Sequence, residues 1–334
     1  MAIQITERQH FVPRAYLKFF ADKKGSGHYN IMALPINNLK PESIIERNTK
    51  SICYEKNLYT LPGSTNEEKM LLETFYSEEF ENKYEQVYTM LTDPAKTELT
   101  APERELVIST VATMFYRVPI WQKQHTEVMK RVFEMCIQAT KQTGQKETKI
   151  EGDTYIIEGK TVDQLIKEYT SNNKSHQVIS QLNIALKLVA IRLKSDNVYI
   201  FKLEDGGQEF ITSDNPVILQ NPSNEQIFPF DPSNIMKLPL DTKHYLMLMP
   251  NNDKSNLNRI VRHNAKGGFS RREELISNTE QLQGADEYII GSTSSLTRYL
   301  NIKDKDIPLT DGEQALLDRL IELGKNFGWF NLKQ

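Results

Sequence analysis

The hydrophobic period of this chain changes at Asp196, and that change limits what the chain can fold into. Before it, apolar residues recur at spacings of three and four. Leu72, Tyr76, Phe80, Tyr84, Val87 and Leu91 mark one face of a helix over about 66–91. Asp93-Pro94 ends it, because the residue before a proline is pushed out of the helical region. Thr100-Ala101-Pro102-Glu103 spells a helix start: a Thr cap, a proline in the first turn and a Glu three residues after the cap. The helix it opens is expected to run to about Ala139, kinked at Pro119. A third helix, about 177–194, is apolar on much of its circumference and is expected to be buried.

After Asp196 the runs NVYIFKLE, EFITSD, PVILQ, QIFPF and HYLMLMP are short, β-rich and split by Gly, Pro and Asn. Helix then returns at about 271–283 and 294–301, with the strand EYIIGS between them. A last helix spans about 311–330, ending in a Phe327, Trp329 and Phe330 cluster. At the other end, Pro13 opens a short helix carrying Tyr16, Leu17, Phe19 and Phe20. A strand YNIMALPI follows a turn at Gly25 and Gly27, and TYIIEGK reads as a hairpin strand. Helices, then strands, then helices imply an α+β fold, with long amphipathic helices packed on a mostly antiparallel sheet. A single domain over 1–334 is expected, helical over about 62–195, strand-rich over about 196–250 and helical again over about 270–334.

Several function classes lose support at once. The 44 acidic and 41 basic residues leave a net charge of -3, without the basic excess of a general nucleic-acid binder. A local basic groove stays compatible with that balance. Neither GxGxxG nor GxxxxGK[ST] is present, so dinucleotide and P-loop readings lack their main support. Cys53 and Cys136 form no CxxC and read as free thiols of a reducing compartment. No run reaches the ~20 apolar residues of a membrane span. The opening MAIQITERQHF has no apolar signal core, so a cytoplasmic location without membrane contact is expected. His28, His125, His176, His244 and His263 show no HxxxH or HxH spacing, which leaves a helical zinc pair unsupported. Ser213 lies outside any GxSxG. The most basic stretch, Arg259, Arg262, Lys266, Arg271 and Arg272, reads as a loop around Gly267-Gly268, either solvated or in contact with phosphates.

His10-Phe11-Val12-Pro13, followed by Tyr16-Leu17 and Phe19 or Phe20, resembles the HxVPxxYLxxF opening of a bacterial family catalogued as domain of unknown function 4238. Phe210-Ile211-Thr212-Ser213-Asp214-Asn215-Pro216-Val217 resembles that family's FxTSDNPV element. Leu238-Pro239-Leu240-Asp241 resembles its PLSP segment, with Asp241 and Thr242 where Ser and Pro are usual. The resemblance spans roughly 8–295 and implies a grouping without an established activity.

Four polar residues lie in the segments that carry this resemblance. His10, just before a helix start, suits a general base or a metal ligand, or else bonds a nearby carbonyl. Asp214 ends a strand, where a carboxylate can bind a cation or orient His10; equally, its side chain can close a local Asx-turn. Glu73 and Glu81 flank the apolar stripe on one side and can reach a shared site or simply face solvent; the family's helix acid favours Glu81. Arg117 can clamp a phosphate with paired hydrogen bonds, or form an internal ion pair with Glu81 or Asp214. Taken together, these residues point to a metal-assisted hydrolase of a phosphate-containing substrate, a nucleotide or nucleic acid. His10, Glu81 and Asp214 would hold a divalent cation, magnesium or manganese, and Arg117 would balance charge on the phosphoryl oxygens. The alternative is a non-enzymatic sensing or partner-binding protein in which the same residues form a structural network.

Overall fold

The computed structural model describes residues 4–23, 29–204, 206–221, 227–251, 255–305 and 310–326. Gly25, Gly27 and His28 lie outside them, as does the Phe327, Trp329 and Phe330 cluster. Helices and antiparallel-rich open sheets place the fold in the α+β class. No helix of the described residues is long and apolar enough to cross a membrane.

The strands form two main sheets where one was expected. The first has the order Ile218–Gln220, Ile235–Pro239, His244–Pro250, Asp196–Leu203, Ile260–Ala265, and only its last pairing is parallel. Every residue of Ile235–Pro239 is buried, as a central strand between packed layers requires. The second sheet draws on distant parts of the chain. Tyr29–Pro35 pairs with Asp22–Lys23, Ile45–Asn48 and Tyr288–Gly291, and Tyr288–Gly291 also pairs with Thr212–Ser213. EFITSD therefore joins the second sheet, away from its sequence neighbours. One hydrophobic core cluster runs from Val12 to Ile290 across these elements.

The helices follow the hydrophobic pattern with three differences. The stretch expected over 66–91 is broken into Asn66–Lys69, Leu71–Tyr76, a π-helical turn Ser77–Glu81 and Tyr84–Thr92. The wide turn is closed by the Asn82 N–H donating to the Ser77 carbonyl at 2.9 Å, five residues back. The capping box Thr100–Glu103 forms, but its helix stops at Tyr116 and a new one, Ile120–Thr143, begins after Pro119. The expected kink is a complete break, because a proline cannot donate to the preceding turn. The third helix is far longer than its expected 177–194: it runs Val162–Ser195 from a Thr161–Gln164 capping box. Its first half buries Leu165, Ile166 and Tyr169 in a small separate cluster with Phe133 and Tyr155. With Val162 those three stand at helical spacings, so the pattern for this half of the helix is present in the sequence.

The basic stretch at 259–272 is regular structure. Ile260–Ala265 is a strand, and Gly267–Gly284 is a helix. Arg262 is spent on main chain: it donates to the carbonyls of Leu91 (2.5 Å), Asp93 (2.6 Å) and Lys96 (3.0 Å), at the C-terminal end of the Tyr84–Thr92 helix. A cation is favoured there by the helix dipole. The loop reading of this stretch is thereby corrected. Cys53 and Cys136 are both free.

A fully buried ion pair ties the long helix to the first sheet. Arg192 and Asp196 are each 0% exposed, and the Arg192 guanidinium donates to the Asp196 carboxylate (3.2 Å) and to the Asn234 carbonyl (2.5 Å). Removing one partner of such a pair leaves the other charge stranded, so Asp196→Ala should lower stability by about 3–5 kcal/mol in urea denaturation. Adding Arg192→Met should restore part of the loss.

Candidate functional site

The centre of the candidate site is Arg117, at the end of the Ala101–Tyr116 helix. A guanidinium cannot be neutralised by losing a proton, so burial obliges the fold to supply acceptors. Arg117 is 2% exposed. Its Nη2 donates to the His10 carbonyl at 2.6 Å and to Glu81 Oε1 at 2.8 Å. Its Nε reaches the Tyr59 hydroxyl at 3.5 Å, and that hydroxyl donates to the Arg117 carbonyl at 2.8 Å. The guanidinium carbon lies 4.5 Å from the Tyr76 ring centre and 5.5 Å from that of Tyr59, within cation–π range.

His10 is the last residue of the strand Arg8–His10, paired with Tyr54 of Tyr54–Lys56. Its ring lies 5.8 Å from that of Tyr54. Burial lowers its pKa to about 4, helped by the cations of Arg14 and Arg117 and opposed by Glu81 and a hydrogen bond to the Thr49 backbone. The imidazole is therefore neutral through the physiological range. Its Nε2 is buried and has no partner among the described residues.

Glu81 ends the π-helical turn and keeps 24% of its side chain exposed. Glu73, one element earlier, shares its surroundings. Burial pushes the Glu73 carboxyl up to about 7, and the Glu81 charge adds to the rise while Arg117 opposes it. Glu73 Oε2 is also buried without a partner among the described residues, and so is Arg14 Nε. His10 Nε2 and Glu73 Oε2 thus have unfilled hydrogen-bond positions within the electrostatic reach of the Arg117–Glu81 pair, and Arg14 acts on His10. The sequence does not single out Arg14, and it offers Glu73 a shared site with Glu81 while favouring Glu81. Only tertiary surroundings set Glu73 apart from the solvated acids beside it. For Arg14, its place one residue after the HFVP run is the available signal.

Asp214 does not join them. It is 4% exposed, and its Oδ1 accepts from the Asp286 N–H at 2.9 Å. Its Oδ2 accepts from Glu287 at 2.7 Å and Tyr288 at 3.1 Å. Burial raises its pKa to about 6 against these three backbone bonds. The carboxylate splices Thr212–Ser213 to Tyr288–Gly291 beside a cavity of about 110 Å³ that also touches Phe11, Cys53 and Lys123. Three main-chain N–H groups hold its carboxylate, and its hydrogen-bond partners among the described residues include neither His10 nor Glu81. Among the described residues, no three His, Cys, Asp or Glu side chains come together to hold a metal ion. The expected ligand set His10, Glu81 and Asp214 is not drawn together among the described residues.

The chemistry open to the first cluster is limited and specific. It offers a neutral imidazole, a carboxyl that titrates near neutrality and a half-buried cation, all held against a fixed ion pair. Two titratable groups pushed in opposite directions are the pattern of an acid–base pair.

A family model described as a protein of unknown function (DUF4238) matches residues 8–295. No curated protein and no solved structure matches the chain.

The raised Glu73 carboxyl carries a stability signature. Its folded pKa lies above the ordinary 4.5, so the folded state binds the proton more tightly and stability falls as pH rises from about 4.5 through about 7. Glu73→Gln removes that dependence. The variant should match the parent near pH 4 and exceed it at pH 8 by an amount on the order of 1–3 kcal/mol, read from denaturant melts at the two pH values.

Proposed function

The chain belongs to the DUF4238 family, proteins of unknown function; we propose that it is a hydrolase of a phosphate-containing substrate, a nucleotide or nucleic acid, acting in the bacterial cytoplasm. One observation carries the reading. His10 Nε2 and Glu73 Oε2 are buried, unpartnered among the described residues and tuned in opposite directions, both under the charges of Arg117 and Glu81.

In this reading neutral His10 takes a proton from the attacking water. The water oxygen bonds to phosphorus, the bond to the leaving oxygen breaks, and protonated Glu73 supplies a proton to that oxygen. Arg14, whose Nε is uncommitted among the described residues, offsets negative charge growing on the phosphoryl oxygens. Arg117 is turned inward. It fixes the His10 backbone and the Glu81 carboxylate, and so acts as a positioning residue.

A second reading, a non-enzymatic sensing or partner-binding protein, draws on the same structure. Arg117 and Asp214 are bonded wholly within the fold, as members of a structural network are. Phosphate release from a panel of nucleotides and oligonucleotides separates the two. The hydrolase reading expects turnover that rises with pH through about 4, as His10 loses its proton, and falls through about 7, as Glu73 loses its own. Glu73→Gln and His10→Ala should each lower the rate by about 10²–10⁴-fold while remaining folded. Absence of turnover across the panel by folded parent protein would leave the sensing reading standing.

A further inference from the structure

Phe11 of the HFVP run and Asp214 of the FITSDNPV run line one cavity. Its volume is about 110 Å³, the share of roughly three or four waters. Pro119, at the break between two helices, lines it too, and so does Tyr288, whose N–H donates to Asp214. An outer hollow of about 440 Å³ shares Glu55, Pro119 and Lys123 with this cavity and extends past Gln122 and Thr170.

Charge is uneven around the inner cavity. Four of its lining residues are acids, Glu55, Asp214, Asp286 and Glu287, and one, Lys123, is a base. Lys123 is committed to Asp286 in an ion pair. Backbone N–H groups hold Asp214. The side chains of Glu55 and Glu287 make no hydrogen bond or ion pair among the described residues. Burial raises the Glu55 carboxyl; Lys174 and Lys123 oppose that rise, and Asp286 and Glu287 add to it. The acids therefore lie within reach of one another's charge.

Cys53 adds a different kind of group. It is 6% exposed, lines the same cavity and is a free thiol. Burial raises its pKa, and the charges of Asp214 and Glu287 raise it further, so the thiol stays neutral. It is a buried polar group without a hydrogen-bond partner among the described residues. Negative charge that a resident cation offsets only in part is costly away from bulk water, and it favours a cationic guest.

The lining also selects the kind of cation. A divalent metal needs several oxygen ligands converging at fixed distances. No three His, Cys, Asp or Glu side chains converge in that way among the described residues. An organic ammonium needs only opposite charge and aromatic neighbours. Phe11, Tyr54 and Tyr288 bring three aromatic rings to the lining.

We propose that this cavity binds the primary ammonium group of a small amine, with the outer hollow taking the rest of the molecule. The site is separate from the His10 cluster and stands whether or not that cluster is catalytic.

Titration calorimetry of the full chain at low salt, with n-butylamine, n-butanol and magnesium chloride, tests it. The alcohol has the shape of the amine without its charge. Butylamine should bind, n-butanol at least about tenfold more weakly, and magnesium not at all. Glu55→Gln and Glu287→Gln should each weaken the amine about three- to tenfold, since each removes one attracting charge. Lys123→Met removes the competing cation and should tighten the amine by a similar factor. A purely structural role for Lys123 predicts no gain. Absence of butylamine binding up to about 10 mM, equal affinity for amine and alcohol, magnesium binding in place of the amine, or unchanged affinity in all three variants would overturn the proposal.

Discussion

A guanidinium that cannot shed its charge, buried at the junction of a broken helix, organises this protein. Arg117 lies where Pro119 ends one helix and lets another begin. Its bonds reach the His10 carbonyl of the opening strand and the Glu81 carboxylate of the π-helical turn. Tyr59 and Tyr76 border it as well, one through its hydroxyl and both through their rings. Breaking a buried ion pair from one side typically costs about 3–5 kcal/mol, a large share of a domain's net stability. The π-helical turn fits this demand. An additional residue in a helix rotates the remainder of that helix by about 100°, and at the end of that turn Glu81, beside the apolar stripe, meets the guanidinium.

The satisfaction of Arg117 contrasts with its neighbours. His10 Nε2, Glu73 Oε2 and Arg14 Nε are buried without partners among the described residues. Asp214 obeys the opposite logic: three backbone N–H groups take up its carboxylate, and the bonds hold two strands from distant parts of the chain in register. Both Arg117 and Asp214 lie in segments shared with the family, yet one borders unfilled positions and the other closes a joint.

Much of the local structure is legible from the chain. The Thr100–Glu103 capping box and the stop at Asp93-Pro94 depend on residues a few positions apart, and both form as read. The strands at Tyr29–Pro35, Asp196–Leu203 and His244–Pro250 arise from local pattern too. The first half of the Val162–Ser195 helix is legible too, from its Thr161–Gln164 capping box and from Val162, Leu165, Ile166 and Tyr169 at helical spacings, although the expected helix begins only at about 177. Ile260–Ala265 escapes such reading because Arg262, His263 and Asn264 conceal a strand that gains its order by pairing with Asp196–Leu203. In the site, the sequence singles out His10, Glu81 and Arg117, which do meet. It also includes Asp214, which bonds elsewhere, and passes over Arg14 and the role of Glu73.

The α+β class and about half of the helix boundaries can be read along the chain, because short-range sterics, capping and apolar periodicity are settled among nearby residues; the family is read from the HFVP and FITSDNPV motifs. Only the tertiary structure decided that EFITSD leaves its neighbours for a second sheet, that Arg117 is sealed against Glu81, and that Glu73 titrates near neutrality. Desolvation and long-range pairing depend on what packs around a group, and those neighbours come from parts of the chain that sequence proximity does not connect.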